Sequence, residues 1–462
     1  MARAKVFTLG VPALAEFIGD IISPYTLLIA GHPGAGKTTL ATTICYYNAI
    51  GGHKCLYVTF YEDKEKYYRN MKRLGLDLAQ VESTGNFKFI RMPSTLDVEL
   101  VVGEINELVK EGYDVVVIDS MTALIEPVAS NPEKRAWLLN YFYQLPMVIN
   151  GLLVLVAELP FGMERLELGS IEFVVDAIIV LKQRVEDGFL TRVLEVRKTR
   201  GAPIQVAEIP FSIVEDVGVK IYPPIVLKEV PPEGVEVQIV CKKLKESVGH
   251  HHRGFIINIF SPPGAILVET LLGILALAIY NKMKALVVSY IHPPGTFIEA
   301  IKTRLSAQGI PIEKVDKILG KYMDITALNP FGSSITELVG RELAMIESVK
   351  PDLVVFYGVH VARRSSHSKF LRELFNQMLY LKSRGIVVFR IGSCISEEDC
   401  SSEASIADIT YWFRRGVRND GSVSEWIEVY RRFRRPKILP GNIIDECVGE
   451  WSSIIRQEAE KL

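Results

Sequence analysis

Eight residues, Gly31-His32-Pro33-Gly34-Ala35-Gly36-Lys37-Thr38, carry the most explicit chemistry in the chain. They satisfy the pattern G-x-x-x-x-G-K-[ST] in full, the signature of a backbone cradle for phosphate. Glycines at 31, 34 and 36 free the chain to turn successive amides toward one anion, and a following helix adds the positive end of its dipole. Lys37 is expected to reach the β- and γ-phosphates of a nucleotide, and the Thr38 hydroxyl to hold Mg2+. His32, Pro33, Ala35 and Thr39 complete the nucleotide-binding stretch.

Three further groups could act on a bound triphosphate. The apolar run Val115-Val116-Val117-Ile118 ends in Asp119. A carboxylate at the tip of a buried strand suits a second Mg2+ ligand, although an Asp there also serves as a helix cap. Glu62 follows the strand Lys54 to Phe60 and could orient or deprotonate the attacking water. Equally, Glu62, Asp63 and Glu65 could only charge the first turn of the next helix, which runs to about Leu74. Lys198 and Arg200 stand two apart and on a strand would face one side, offering two cations to an anion or blunting an edge strand.

These groups need elements to position them. Leu27 to Ala30 suits a buried strand, and Thr39 to Ile50, without Gly or Pro, suits a helix. Val11 to Phe17 suits a short lead-in helix, and helical periodicity returns from Leu96 to Lys110. Gly151 to Glu158 and Val174 to Lys182 are further apolar strands. Strands alternating with helices specify an α/β fold with a mostly parallel sheet flanked by helices.

In order and spacing, five motifs resemble the KaiC family of RecA-like ATPases over residues 1 to about 222. They are Gly31 to Thr38, Val58-Thr59-Phe60 ahead of a carboxylate, Val116 to Ser120, Glu172 to Asp176, and Lys198-Thr199-Arg200-Gly201. The resemblance implies a ring, typically a hexamer, that binds ATP between subunits. It carries over Lys37, Thr38 and Asp119 for Mg-ATP, with Lys198 and Arg200 contacting the γ-phosphate of a neighbour's nucleotide. The family usually shows two adjacent glutamates after the second strand, and this chain has Tyr61 then Glu62. A phenol has no useful basicity at neutral pH, so slow hydrolysis is expected. A non-hydrolysing, ATP-gated scaffold is the competing expectation. A recombinase-like DNA-binding ATPase is weakened by near-neutral charge and the lack of an added DNA-binding module.

The first half recurs at a shift of roughly 230 to 240 residues. Pro33-Gly34-Ala35 answers to Pro263-Gly264-Ala265, Val58-Thr59-Phe60 to Val288-Ser289-Tyr290, Asp176 to Asp408 and Glu195-Val196 to Glu428-Val429. The chemistry does not recur. Ile266, Leu267 and Val268 replace Gly36, Lys37 and Thr38; Tyr357 replaces Asp119; His292 and Pro293 replace the carboxylates at 62 and 63. The expected organisation is an ATP-binding domain over 1–222, a proline-bracketed linker over 223–253, and over 254–462 a degenerate RecA-like copy serving assembly or a protein partner.

Composition sets the outer limits. A chain of 462 residues, 48% hydrophobic and 23% charged, is long enough for two or three well-buried domains. With 53 Lys+Arg against 54 Asp+Glu, overall charge supplies no attraction for nucleic acid or an anionic membrane. The six cysteines show no metal-ligand spacing, so free thiols in a reducing cytoplasm are expected. Gly254 to Tyr280 is broken by Ser261-Pro262-Pro263-Gly264 and suits a strand, turn and buried helix, not a membrane span. His250-His251-His252 is expected as a solvated loop rather than a metal site. Arg431-Arg432-Phe433-Arg434-Arg435, with Arg414, Arg415 and Arg418, suits nucleic acid or is a relic of the Lys198–Arg200 edge.

Overall fold

The uninterrupted apolar runs of the first half become strands buried on both faces. A computed structural model describes residues 4–93, 97–160, 171–186, 189–201, 208–221, 235–263, 268–365, 367–417 and 420–462, in two compact units, Met1–Pro223 and Pro224–Leu462. The first unit runs β1 (Val6–Phe7), α1 (Pro12–Ile18), β2 (Ile21–Ile22), β3 (Tyr25–Gly31), α2 (Lys37–Ile50), β4 (Cys55–Thr59), α3 (Lys64–Arg73), α4 (Leu78–Ser83) and β5 (Phe87–Arg91). It continues with α5 (Val98–Val109), β6 (Val115–Asp119), α6 (Thr122–Ile125), α7 (Pro132–Ile149), β7 (Leu152–Glu158), α8 (Ile171–Val174), β8 (Ala177–Glu186), β9 (Phe189–Thr199), β10 (Glu208–Val214) and β11 (Gly218–Ile221).

Its large sheet has the order β11-β10-β9-β8-β3-β7-β6-β4-β5. The strands from β8 to β5 are parallel, and β9 to β11 extend the sheet antiparallel. Alternation decides the layers. Leu27, Ile29, Tyr57, Val117 and Val154 face α1 to α4, whereas Leu28, Ala30, Leu56, Val58 and Val116 face α5 to α7. Each buried Val, Leu or Ile among these contributes roughly 1.5–3 kcal/mol by leaving water. With both faces covered, the C-terminal edge of the parallel strands is where a ligand can be met.

The second unit runs β12 (Glu236–Val237), α9 (Lys242–Val248), β13 (His251–His252), β14 (Ile256–Ser261), α10 (Val268–Tyr280), β15 (Ala285–Ser289), α11 (Pro294–Ser306), α12 (Ile312–Tyr322), β16 (Met323–Ala327), α13 (Ile335–Val349) and β17 (Leu353–Tyr357). It closes with α14 (Val359–Ser365), α15 (His367–Ser383), β18 (Val387–Ser393), α16 (Glu397–Ile406), β19 (Ile409–Val417), β20 (Val423–Arg431), β21 (Lys437–Pro440) and α17 (Ile443–Lys461). Its sheet order, β16-β15-β17-β18-β14-β19-β20-β21, repeats that of the first unit strand for strand as far as β10. A long helix, α17, follows in place of a further strand and packs on α10. The chain is therefore α/β, with two tandem RecA-like sheets flanked by helices.

Three expectations are corrected. The expected linker is folded from residue 236 onward: Val237 pairs with His251, and Val237, Ile239, Cys241 and Val248 join the core of the second unit. These elements repeat β1, α1 and β2, so local proline content hides a short strand pair that closes on itself. The cysteines are not all free. Cys241 bonds Cys447 and Cys394 bonds Cys400, leaving Cys45 and Cys55 as buried thiols. Folding brings Cys241 and Cys447, 206 residues apart in sequence, to a Cα separation of 5.2 Å. Nor is the histidine run a solvated loop. His251 is 3% exposed, with Nε2 3.1 Å from the Tyr411 hydroxyl, and burial pushes its pKa down to about 3. Among the described residues no helix is long and apolar enough to cross a membrane.

Candidate nucleotide site

The loop between β3 and α2 is fixed from below by β8. The His32 amide donates to the Leu181 carbonyl at 3.2 Å, and Gln183 Nε2 donates to the Pro33 carbonyl at 2.7 Å. A Cβ at Gly31 would stand 2.3 Å from the Leu181 carbonyl oxygen, so no side chain fits there. Gly36 has φ +103, a left-handed conformation that favours glycine, and begins α2. Two strands distant in sequence thus shape a turn whose residues alone suggest phosphate.

Thr38 and Asp119 meet at this edge. The Thr38 hydroxyl donates to Asp119 Oδ2 at 2.8 Å, and the Tyr57 hydroxyl donates to the same oxygen at 2.7 Å. Asp119 ends β6, beside β7 and β4, and does not cap α6, whose N-cap is Met121. Burial pushes its carboxyl pKa up, opposed by the two hydroxyls and by Lys37. A hydroxyl and a carboxylate in contact form the hard-oxygen pair that Mg2+ prefers, so these residues fit the ion the motif implies.

Lys37 is 5% exposed and donates to the His32 carbonyl at 2.9 Å and to Glu158 Oε2 at 2.8 Å. No motif in the sequence points to Glu158. It ends β7, next to β3, where parallel pairing sets it opposite Gly31. Only the adjacency of two strands far apart in sequence brings it to the loop. Thr39 is buried on the first turn of α2, its carbonyl accepting from the Thr43 hydroxyl.

Glu62 stands past the tip of β4, at the same edge of the sheet; its amide donates to Thr59 Oγ1 at 3.4 Å. Its carboxylate has no hydrogen bond or ion pair among the described residues, whereas neighbouring Asp63 caps α3 by accepting from the Lys66 amide. Tyr61 is 63% exposed. Lys198 and Arg200 lie at the opposite edge, because β9 runs antiparallel to β8 and Thr199 pairs with Ala177 while Gly31 pairs with Leu181. Lys198 donates to the carbonyls of Glu172 and Val175, both at 2.6 Å, and Arg200 to Asp176 at 3.1 Å and the Phe173 carbonyl at 2.8 Å. The structure gathers Lys37, Thr38 and Asp119, and sets the Lys198–Arg200 pair apart from them.

In the second unit Tyr357 holds the register of Asp119: it pairs with Ser289 as Asp119 pairs with Thr59. Pro293 is the N-cap of α11, where Asp63 caps α3. Ile266 and Leu267, the expected replacements in the loop, lie outside the described residues, as does Arg418; Val268 opens α10. Two arginines of the run, Arg431 and Arg432, are engaged within their own unit, as are Arg414 and Arg415. Arg431 donates to the Val248 carbonyl, Arg432 pairs with Asp408 at 3.3 Å, Arg414 with Glu428 at 3.2 Å and Arg415 with Glu425 at 2.8 Å.

A glycine cradle between a strand and a helix, with a strand-tip carboxylate beside its Thr, on a sheet of this order, defines a RecA-like P-loop ATPase domain. Residues 7–225 match the family described as "ATPase: KaiC". The chain is 30% identical over 242 residues to a UPF0273 protein of Thermotoga maritima, an overlap of 46% of this chain and 94% of that one. It is 26% identical over 228 residues to "Circadian clock protein KaiC3" of Synechocystis sp. (46% of this chain, 45% of the relative). It is 27% identical over 216 residues to "Circadian clock oscillator protein KaiC" of Picosynechococcus sp. (44% and 42%). The chain belongs to the KaiC-like family of RecA-superfamily ATPases. It spans less than half the length of the clock relatives it matches.

Proposed function

We propose that the first unit binds Mg-ATP and hydrolyses it slowly at sites shared between copies of the chain. Lys37 and amides of the loop hold the phosphates, and Thr38 with Asp119 places the ion. Glu62 is the sequence-derived candidate to orient the attacking water. The observation that carries the reading is the 2.8 Å contact between Thr38 and Asp119 at the mouth of a glycine cradle that holds Lys37. The position of Lys198 and Arg200 supports sharing: at the edge opposite their own loop, they are better placed to meet a neighbour's nucleotide in a ring. The exposed phenol of Tyr61, where the family has a carboxylate, supports slow turnover. The second unit, with Tyr357 in the register of Asp119, acts in assembly or partner binding.

The test is mass in solution with and without Mg-ATP, with phosphate release followed in the same samples, for wild type, Lys37→Ala and Arg200→Ala. Assembly on ATP that both substitutions disrupt, with phosphate appearing, is the expected result. Assembly without phosphate release would instead make the chain an ATP-gated scaffold.

A further inference from the structure

The Lys37–Glu158 ion pair joins the phosphate-binding ammonium to a carboxylate that no motif announces. Parallel pairing of β3 and β7 sets Glu158 beside the first glycine of the loop, and its amide is fixed by a 2.9 Å bond to Thr122 Oγ1. Its side chain is 44% exposed while that of Lys37 is 6%, so the carboxylate stands at the mouth and the ammonium behind it. A triphosphate is a stronger acceptor for that ammonium than one carboxylate. When phosphate takes Lys37, Glu158 is left at the mouth without its cation, able to accept a bond from a water beside the phosphates. Glu62 stands past the tip of β4, which β6 and β7 separate from β3.

We infer that Glu158 is the carboxylate that accepts the proton of the water attacking the γ-phosphate, after nucleotide has drawn Lys37 away from it. The inference rests on the Mg-ATP reading above. The water oxygen bonds to the γ-phosphorus as the bond from that phosphorus to the bridging oxygen breaks, and the electron pair of the broken bond leaves on ADP. The water's proton passes to a carboxylate oxygen of Glu158 and returns to the released phosphate.

The experiment measures Mg-ATP affinity with a fluorescent ATP analogue, and phosphate release under saturating Mg-ATP, for wild type, Glu158→Gln, Glu158→Asp and Glu62→Gln. Glu158→Gln should bind Mg-ATP at least as tightly as wild type, since an amide competes less for Lys37, while turnover falls by about 100-fold, the usual worth of a general base. Glu158→Asp should retain part of the rate, and Glu62→Gln should lose less than Glu158→Gln. Turnover of Glu158→Gln within about threefold of wild type, or a larger loss in Glu62→Gln, overturns the inference. So does loss of Mg-ATP binding by Glu158→Gln, which would mark Glu158 as a support for Lys37. A wild type that neither binds nor hydrolyses Mg-ATP overturns the underlying reading instead.

Discussion

Arg432 holds in the second unit the place that Arg200 holds in the first. Each follows the end of its strand, each amide donates to an aspartate carbonyl (Asp176 at 2.9 Å, Asp408 at 3.0 Å), and each guanidinium pairs with that same aspartate. The aspartates in turn accept from the amides that open the central strands, Thr26 at 2.9 Å and Ile256 at 3.0 Å. The clasp therefore serves the fold in both units. Register sets Tyr430 against Thr410 as it sets Lys198 against Ile178, so at that position only the first unit carries a cation.

Arg200→Ala should consequently act on stability as well as on any shared site. Its side chain is 53% exposed, so the lost pair is worth under about 1 kcal/mol, a fall of at most about 2–4 °C in the melting of the first unit. Lys198→Ala should lower ATP turnover more than it lowers melting. Calorimetry beside phosphate release decides; a rate loss that merely tracks melting would remove Lys198 from the site.

Shared sites also predict complementation. Lys37→Ala and Lys198→Ala, each inactive alone, should regain part of the turnover when mixed, because some interfaces combine an intact loop with an intact Lys198. Mixtures that stay as inactive as their components would confine the site to one chain.

Asp119→Asn should separate ion binding from folding. Loss of a charged ligand costs about 1.5–3 kcal/mol, so Mg-ATP affinity should fall roughly 10- to 100-fold. Burial disfavours the ionised carboxylate, so the neutral amide should leave the nucleotide-free protein at least as stable. A lower melting temperature without nucleotide would contradict this.

The Cys241–Cys447 bond ties α9 to α17 across the second unit. Cys447→Ser should cost about 2–4 kcal/mol of that unit's stability and leave nucleotide binding by the first unit intact. Denaturant unfolding followed separately for the two units gives the result. An unchanged second transition would mean that helix packing alone holds the ends together.

Glu342 gives the second unit a pH dependence. Burial pushes its carboxyl up to about 7; Tyr290 and Gln377 donate to the carboxylate and Arg390 lies near, all opposing the rise. The folded state keeps this proton up to about pH 7, the unfolded chain only to an ordinary glutamate value near 4.5. Stability should therefore fall as pH rises from 4.5 to 7, with a slope of about 1.4 kcal/mol per pH step of one, and level off above. Glu342→Gln should remove that slope from urea unfolding followed between about pH 5 and pH 7.5; an unchanged slope would assign it elsewhere.

Much of this is legible in the chain. The glycine spacing, the apolar runs before Gly31 and Asp119, and the repeat are local patterns, and local patterns survive without coordinates. Glu158 is not legible, because its partner is set by the pairing of β3 with β7, whose residues lie more than a hundred positions apart. The same holds for Cys241 with Cys447. His251 misleads for a related reason: polar residue type suggests solvent, whereas a two-residue strand buries its ring beside Tyr411.

Between the two sheets, the residues at one end of the parallel strands are kept and those at the other are exchanged. Aspartate, arginine and the strand-opening amide persist where β3 and β14 begin, while Asp119 becomes Tyr357 where the strands finish. A duplicated sheet can thus drift at its chemical end without loosening its anchored end. Exchanges at the strand tips leave that anchor untouched, whereas a change of shape requires the clasp beneath to fail as well.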